Sequence, residues 1–321
     1  MNAEAIAHIL KTEDRFVIVT HVNPDGDAVG SLLGMYLALT EMGKSARPLS
    51  NDRPPDLYSF LPGFEHIVTD AARLPWLPDW IVCLDVAERS RISGNISSLL
   101  DRSKIINIDH HPTNPGFGDV NFVQPTATST AELVHRILKE MGYRTSAHVG
   151  KCLYTGLITD TGCFRFAGVN SETLKIAAEM LSPGIDSYEV TRPLFEEYPL
   201  NRLQLENLML ERIEILLEGK LLISTLYEED FQRLSASMAD TENLVNRLRE
   251  SRGVRAGVLL TQMSDNLIRA SFRSKDLDVA SIAKALGGGG HRNAAGLKIR
   301  MSLAELKEKI VREIERSLTT N

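Results

Sequence analysis

The stretch T-H-V-N-P-D-G-D-A-V-G (20–30) follows the apolar run F-V-I-V (16–19), and it decides how the first half of the chain is interpreted. The apolar run is typical of a short buried strand. The residues that follow the stretch, A-V-G-S-L-L-G-M-Y-L-A-L-T-E-M-G (28–43), have a helical pattern that ends in glycine. One histidine and two aspartates therefore lie in the turn between a strand and a helix. Three such groups in seven positions either repel one another or bind a cation.

The same alternation of strand and helix continues along the first half. W-I-V-C-L-D-V (80–86) and K-I-I-N-I-D (104–109) are two further candidates for buried strands. Residues 129–142 form an amphipathic helix with Ser129 as its N-cap, and residues 148–160 form another helix. Alternating elements predict an α/β fold with a doubly wound, mostly parallel sheet and helices on both faces. In such sheets ligands bind beyond the carboxyl ends of the strands.

A change of composition marks the end of this first domain. Residues 182–200 contain three prolines and one glycine, and residues 201–219 have the pattern of a long helix that ends at Gly219. The sequence therefore predicts a catalytic domain, a linker with a connecting helix, and a smaller C-terminal α/β domain. The predicted ranges are 1–185 for the first domain, 186–219 for the linker and 220–321 for the C-terminal domain.

Composition places the chain among ordinary soluble proteins. It has 321 residues, 43% hydrophobic and 24% charged, and none of its apolar runs approaches the ~20 residues of a membrane span. Residues 1–14 resemble a short amphipathic helix and lack the pattern of a signal peptide. Cys83, Cys152 and Cys163 have apolar neighbours and no C-x-x-C spacing, which is typical of reduced cysteines. We expect a cytoplasmic protein that does not associate with membranes.

The charge is unevenly distributed. The net charge is −6, yet residues 251–300 carry nine Lys or Arg against three Asp or Glu. An acidic protein with one basic segment suits a small anionic ligand or a short strand of nucleic acid. We therefore expect no binding of long duplexes.

Aspartate and histidine side chains follow several of the predicted strands. A single aspartate near a turn is usually a cap, and a single histidine is usually a core residue. Several ionisable clusters that enter one crevice, however, would repel one another unless cations compensated. Carboxylates with imidazoles suit manganese, iron, cobalt or zinc, and six ligands suit two ions ~3.5–4 Å apart. The six candidate ligands are His21, Asp25, Asp27, Asp85, His110 and Asp160.

The motifs that contain these residues resemble those of a known protein family. The motifs D-H-H (109–111), H-V-N-P-D-G-D-A-V-G-S (21–31), D-V (85–86) and D-T-G (160–162) resemble the DHH phosphoesterase superfamily. In the C-terminal domain, S-F-R-S (271–274) and G-G-G-G-H-R-N-A-A-G (287–296) resemble the DHH-associated domain. Together the motifs resemble the nanoRNase type of bacterial oligoribonuclease and pAp phosphatase, over nearly the whole chain.

The resemblance implies roles for the ligand-type residues. It implies one manganese ion on His21, Asp25 and Asp85. It implies a second ion on Asp27, Asp85, His110 and Asp160, with Asp85 bridging the pair. Asp109 would orient the imidazole ligands, and His111 would face the scissile phosphate or the metal-bound water. The implied catalytic residues are His111, Asp109 and Asp85. The cofactor is then two divalent ions, Mn²⁺ first, with Co²⁺ and Mg²⁺ as alternatives.

The resemblance also assigns substrate binding to the C-terminal domain, with a cleft between the two domains. Four glycines allow backbone N–H groups to approach a phosphate closely, and we predict a functional loop there. The implied substrates are RNA of about two to five nucleotides and pAp, a nucleotide with 5′ and 3′ phosphates. The implied binding residues are Arg273, Ser274, Gly288, Gly289, Gly290, His291 and Arg292.

Other functions remain open at this point. Enzymes that cleave linear or cyclic dinucleotides (pApA, c-di-AMP) are the nearest alternatives. Single-strand exonucleases share both motifs but usually carry a further nucleic-acid-binding domain. A manganese pyrophosphatase has a different C-terminal domain, and a nucleotide sensor without turnover predicts a missing ligand. A homodimer is a candidate assembly.

Overall fold

The structure, a computed structural model, describes residues 2–92, 94–263 and 266–320, without the side chains of Asn95, His291 and Thr320. The chain divides into two units, Met1–Glu197 and Tyr198–Asn321. The predicted linker 186–219 is thereby split. Its first helix belongs to the N-terminal unit and its second to the C-terminal unit.

A five-stranded sheet forms the centre of the N-terminal unit. Its strand order is β2-β1-β3-β4-β5, and all four pairings are parallel. The predicted mostly parallel sheet is therefore confirmed. The elements are α1 (Ala3–Thr12), β1 (Phe16–Val19), α2 (Gly26–Glu41), β2 (Ala46–Leu49), β3 (Trp80–Leu84), α3 (Gly94–Leu100), β4 (Lys104–Asp109), β5 (Val120–Val123), α4 (Thr130–Glu140), α5 (Ala147–Asp160), α6 (Ser171–Leu181) and α7 (Ser187–Phe195).

Helices cover both faces of this sheet, as the alternating pattern predicts. Phe16 and Ile18 of β1 belong to a core shared with α2, α4 and α5. Val17 and Val19 of the same strand belong to a second core that includes Ile96 of α3. Because successive strand residues point to opposite faces, a strand buried on both sides reads as a continuous apolar run.

Helices α2 and α5 pack closely because α2 carries glycines at positions 26, 30 and 34. A Cβ atom at Gly30 would lie 2.5 Å from the carbonyl oxygen of Cys152 in α5, and one at Gly26 would lie 2.3 Å from Oγ1 of Thr159. Neither glycine has room for a side chain. This close approach brings the start of α2, with Asp27, beside the end of α5, with Asp160.

We expect Gly30→Ala to destabilise the N-terminal unit by about 1–3 kcal/mol, because overpacking forces backbone to move. The measurement is urea unfolding followed by circular dichroism. Thr40→Ala is the control, since Thr40 lies on the exposed side of the same helix and such changes have small effects. An unchanged midpoint for Gly30→Ala would contradict the close packing.

The C-terminal unit has a mixed six-stranded sheet with the order β10-β11-β9-β8-β7-β6. Among the described strands of this second sheet, only the β7–β8 pairing is parallel. Separate apolar cores lie on its two faces. The predicted smaller α/β domain is confirmed. Its elements are α8 (Leu200–Glu211), β6 (Glu214–Leu216), β7 (Leu221–Tyr227), α9 (Glu228–Leu234), α10 (Val245–Glu250), β8 (Ala256–Gln262), β9 (Leu267–Ser274), α11 (Val279–Ala285), β10 (Gly289–His291), β11 (Ala294–Arg300) and α12 (Leu303–Thr320).

The prediction of one helix over 201–219 is wrong in its second half. Helix α8 ends at Glu211, and β6 then pairs antiparallel with β7. Leu217, Glu218 and Gly219 all have positive φ angles, which turn the chain from one strand into the next. Gly219 ends a hairpin turn rather than a helix.

The prediction of a loop at the four glycines is also wrong in part. Residues 289–291 form the edge strand β10, which pairs antiparallel with β11. Gly290 has a φ of +142°, and a Cβ there would lie 2.5 Å from Cα of Ala295. A Cβ at Gly288 would lie 2.3 Å from the carbonyl oxygen of Gly296. Close backbone approach within the hairpin therefore accounts for two of the glycines.

Among the described residues, each helix is too short or too polar to cross a bilayer.

Candidate metal centre

The carboxyl ends of three neighbouring strands bring the predicted ligands together. His21 follows β1, Asp85 follows β3, and Asp109 is the last residue of β4. Because β3 lies between β1 and β4 in the sheet, Asp85 is central among them. This is the edge at which parallel α/β sheets bind ligands.

Three overlapping groups of donor atoms lie at this edge. Within each group the candidate ligand atoms are within 4.8 Å of one another, and Asp85 belongs to two of the three groups. The groups are His21 with Asp25 and Asp85, Asp27 with His110 and Asp160, and Asp85 with His110 and His111. All six predicted metal ligands are therefore brought together.

Asp85 is a buried carboxylate surrounded by imidazoles. Its Oδ2 lies 3.4 Å from Nε2 of His21, and its Oδ1 lies 3.6 Å from Nε2 of His110 and 3.6 Å from Nδ1 of His111. Burial alone would raise the pKa of Asp85, but the hydrogen bond from His21 and the charges of the three imidazoles hold this pKa well below its usual range. The residue has a φ of +60°, a conformation that surrounding structure must stabilise.

His21 is oriented by its own neighbour in the chain. Its Nδ1 lies 2.8 Å from the carbonyl oxygen of Val22, which directs Nε2 towards Asp85. Burial lowers the pKa of His21, but the hydrogen bond and charge of Asp85 outweigh burial and raise this pKa to about 9. A backbone carbonyl on the second ring nitrogen is the usual arrangement for a histidine that binds metal.

Asp27 faces the N-terminus of α4. Its two oxygens accept hydrogen bonds from the backbone N–H groups of Thr130, at 2.6 Å, and Ala131, at 2.9 Å. The Thr130 hydroxyl donates to Oδ1 of Asp85 at 3.0 Å, so one residue contacts both carboxylates. Burial and the negative charges of Asp85 and Asp160 raise the pKa of Asp27 well above its ordinary value.

His110 and Asp160 form the opposite side of the centre. Nε2 of His110 lies 3.3 Å from Oδ2 of Asp160. Burial lowers the pKa of His110, but Asp85 and Asp27 raise it above its ordinary value. Desolvation and the charges of Asp25 and Asp85 raise the pKa of Asp160. Burial is the main cause of the raised pKa values of Asp27 and Asp160, and neighbouring carboxylate charges add to it. A bound cation would favour the ionised forms of both side chains.

Asp109 lies behind the donor groups and orients His111. This fully buried carboxylate accepts a hydrogen bond from Nδ1 of His111 at 2.7 Å and another from Nδ2 of Asn114 at 2.6 Å. The hydrogen bond between Nδ1 and Asp109 holds the His111 ring in one orientation beside the donor groups.

Comparison with known proteins identifies the family of this chain. The family model described as "DHH family, N-terminal domain" matches residues 15–157, and the "DHHA1 domain" model matches residues 218–320. The "Bifunctional oligoribonuclease and PAP phosphatase NrnA" of Thermus thermophilus is 34% identical to this chain, over 98% of this chain and 94% of the relative. The chain belongs to the DHH family. The resemblance drawn from the sequence motifs is thereby confirmed.

Two further proteins are similar to this chain over most of its length. A Bacillus subtilis protein with the same name is 28% identical over 89% of this chain and 90% of its own length. A solved structure of an exopolyphosphatase-related protein from Bacteroides fragilis has a TM-score of 0.91 and 29% identity, and it covers 98% of this chain and 95% of that chain.

The predicted substrate-binding residues lie in the DHHA1 domain. Arg273 is in β9, opposite Ala294 of β11, and Arg292 is an exposed residue in the turn between β10 and β11. The Ser274 hydroxyl is buried and accepts hydrogen bonds from the backbone N–H groups of Asp276 and Leu277. This hydroxyl therefore stabilises a turn. The side chain of His291 lies outside the described part of the structure.

Three residues at the DHH-domain centre are absent from the sequence-based prediction: Thr130, Asn114 and Arg91. Each contacts a predicted ligand or its partner, but none lies next to a ligand in sequence. The only available signal is the capped start of α4, where Ser129 accepts a hydrogen bond from Glu132 as predicted. That signal shows where the helix begins and not which carboxylates it faces.

We expect Thr130→Val to weaken Mn²⁺ binding by about tenfold or more, as is typical when a partner of a metal ligand is removed. The substitution conserves shape and removes the hydroxyl that donates to Asp85. Isothermal titration of the metal-free protein with Mn²⁺ measures the effect. Thr130→Ser keeps the hydroxyl and should bind Mn²⁺ as the wild type does. Equal affinity in the valine and serine variants would show that this hydrogen bond is unimportant.

Proposed function

We propose that this DHH-family protein is a two-metal phosphoesterase that hydrolyses short oligoribonucleotides to mononucleotides and dephosphorylates pAp to AMP. The observation that carries the proposal is the set of three overlapping donor groups, two of which share the central Asp85. Two ions bridged by one carboxylate are a common arrangement in phosphoester hydrolysis. The printed names of the Thermus and Bacillus relatives supply the substrate class.

The donor set supports two ions. His21, Asp25 and Asp85 would hold one, and Asp27, Asp85, His110 and Asp160 would hold the other. Burial and, after it, neighbouring carboxylate charges raise the pKa values of Asp27 and Asp160, and bound cations would stabilise the ionised forms of both side chains. Mixed carboxylate and imidazole ligands favour Mn²⁺, with Co²⁺ next and Mg²⁺ less suited.

The chain's own residues would position the substrate. Bound divalent ions would supply positive charge to the phosphoryl oxygens and make water more acidic. His111 would face the scissile phosphate with Nε2, held in that orientation by the hydrogen bond between Nδ1 and Asp109. Asp109 is itself held by Asn114, so the imidazole loses little orientation freedom when substrate arrives.

In the DHHA1 domain, we propose that Arg273 and Arg292 bind a substrate phosphate together with backbone N–H groups of the glycine hairpin. The basic excess of residues 251–300 supports an anionic ligand. Gly289 supports this role, since the space that a Cβ atom would occupy there is open and would admit a phosphate on that side. Ser274 would contribute by holding the turn that follows Arg273.

The cytoplasm is the proposed compartment, supported by three free cysteines.

The test is a comparison of substrates with purified protein. A labelled RNA dinucleotide, a long RNA, pAp, pApA and c-di-AMP are each incubated with Mn²⁺ and, separately, with a chelator. We expect metal-dependent loss of the dinucleotide and of pAp, with the long RNA largely spared. Rapid loss of the long RNA would indicate a single-strand exonuclease. Turnover of c-di-AMP or pApA alone would indicate a dinucleotide phosphodiesterase.

A further inference from the structure

A short 3₁₀ turn, Arg89–Arg91, follows β3 and leads away from Asp85. The backbone carbonyl of Arg91 accepts a hydrogen bond from the backbone N–H of Val22 at 2.9 Å. This bond joins the turn directly to the segment that carries His21. Arg91 therefore has a defined backbone position next to the first donor group.

The Arg91 side chain lies next to His21, but the two side chains do not form a hydrogen bond with each other. Nη2 of Arg91 is 3.3 Å from Nδ1 of His21. The same Nδ1 is 2.8 Å from the carbonyl oxygen of Val22, so it must carry a hydrogen to make that bond. A protonated Nδ1 cannot also accept from a guanidinium, because both groups are then donors. The guanidinium thus keeps its hydrogen-bonding capacity for another acceptor.

Arg91 also differs from its neighbour in the same turn. Arg89 forms an ion pair with Asp101. Within residues 2–92, 94–263 and 266–320, no carboxylate oxygen lies within 4 Å of the Arg91 guanidinium. The side chain is exposed to solvent beside donor groups that include several carboxylates. A cation placed there, without a carboxylate of its own, is suited to an incoming anion.

We propose that Arg91 binds a phosphate group of the substrate beside His21. The inference rests on the proposed phosphoesterase function, which it deepens by adding a recognition residue in the DHH domain itself. A guanidinium donates two parallel hydrogen bonds to a phosphate, a geometry that an ammonium group cannot reproduce. The anionic substrate must approach donor groups that include several carboxylates, so a cation beside them lowers the electrostatic cost of that approach.

The experiment compares Arg91→Ala and Arg91→Lys with Arg89→Ala as the matched control. All are loaded with Mn²⁺ and assayed for KM and kcat with an RNA dinucleotide and for inhibition by inorganic phosphate. For Arg91→Ala we expect KM and the phosphate inhibition constant to rise about tenfold to a hundredfold, the effect of losing charge-assisted hydrogen bonds. Arg91→Lys should recover part of this loss. Arg89→Ala should stay within twofold of the wild type.

A titration with Mn²⁺ separates substrate binding from a structural role. We expect Arg91→Ala to bind Mn²⁺ within twofold of the wild type. A parallel loss of Mn²⁺ affinity would overturn the proposal and show that Arg91 positions His21. Unchanged KM and phosphate inhibition would overturn it as well.

Failure of the proposed function can be told apart from failure of this inference. If the wild type hydrolyses none of the substrates, the proposed function fails. Equilibrium binding of inorganic phosphate to the Mn²⁺-loaded proteins then decides the role of Arg91. Weaker phosphate binding by Arg91→Ala than by Arg89→Ala would support phosphate recognition by Arg91, and equal phosphate binding would refute it.

Discussion

Asp85→Asn should abolish both Mn²⁺ binding and hydrolysis. Asp85 lies at the middle of the sheet edge, belongs to two of the three donor groups, and is within 3.6 Å of three histidine nitrogens. The amide keeps the shape and removes the negative charge that both proposed ions would share. Since bound metal contributes several kcal/mol of charge stabilisation, we expect kcat to fall by about a thousandfold or more.

Two measurements on Asp85→Asn test this expectation. Isothermal titration should show the loss of both Mn²⁺ sites, and a dinucleotide assay at saturating Mn²⁺ should show the loss of turnover. Asp56→Asn is the control, because Asp56 is an exposed residue paired only with Arg53 in the described structure. Measurable turnover near the wild-type rate in Asp85→Asn would refute the shared-carboxylate assignment.

His110→Ala should remove one proposed ion and leave the other. His110 contacts Asp160 at 3.3 Å and is the imidazole of the group that contains Asp27. The group around His21 and Asp25 does not use His110. We therefore expect Mn²⁺ stoichiometry to fall from two to one, and hydrolysis to fall by at least about a hundredfold through the lost charge stabilisation.

The fold of His110→Ala should persist, because the side chain lies at the sheet edge and outside the apolar cores. Circular dichroism and urea unfolding check this point. His148→Ala is the matched control, since His148 is an exposed histidine at the start of α5. Full activity in His110→Ala would make the two-ion assignment wrong, whereas loss of cooperative unfolding would leave the activity result without meaning for the metal site.

Much of the candidate site follows from local sequence. A short apolar run that ends in Asp or His marks a buried strand and its carboxyl end, as at Val19, Leu84 and Asp109. Parallel sheets bring such ends to one edge, so the ligand residues could be predicted from where the strands stop. The cap at Ser129 was predictable for the same reason, because capping involves residues only a few positions apart.

The errors have a different origin. Helix α8 was predicted to continue to Gly219 because its apolar pattern continues, yet β6 gains its hydrogen bonds from β7. Likewise, Gly289 and Gly290 have the composition of a loop but pair with β11. In both cases the decisive bonds come from a partner strand that propensity cannot identify.

By itself, then, the sequence determined the α/β class, the two-domain order and the identity of the six ligand-type residues, since each depends on local patterns and spacing. Only the tertiary structure decided which residues surround those ligands. The order β2-β1-β3-β4-β5 makes Asp85 central. The packing of α2 on α5, through Gly26 and Gly30, brings Asp27 beside Asp160. Contacts such as Thr130 with Asp85 and Arg91 with His21 join residues 45 and 70 positions apart, and a separation of that length leaves no local trace in the sequence.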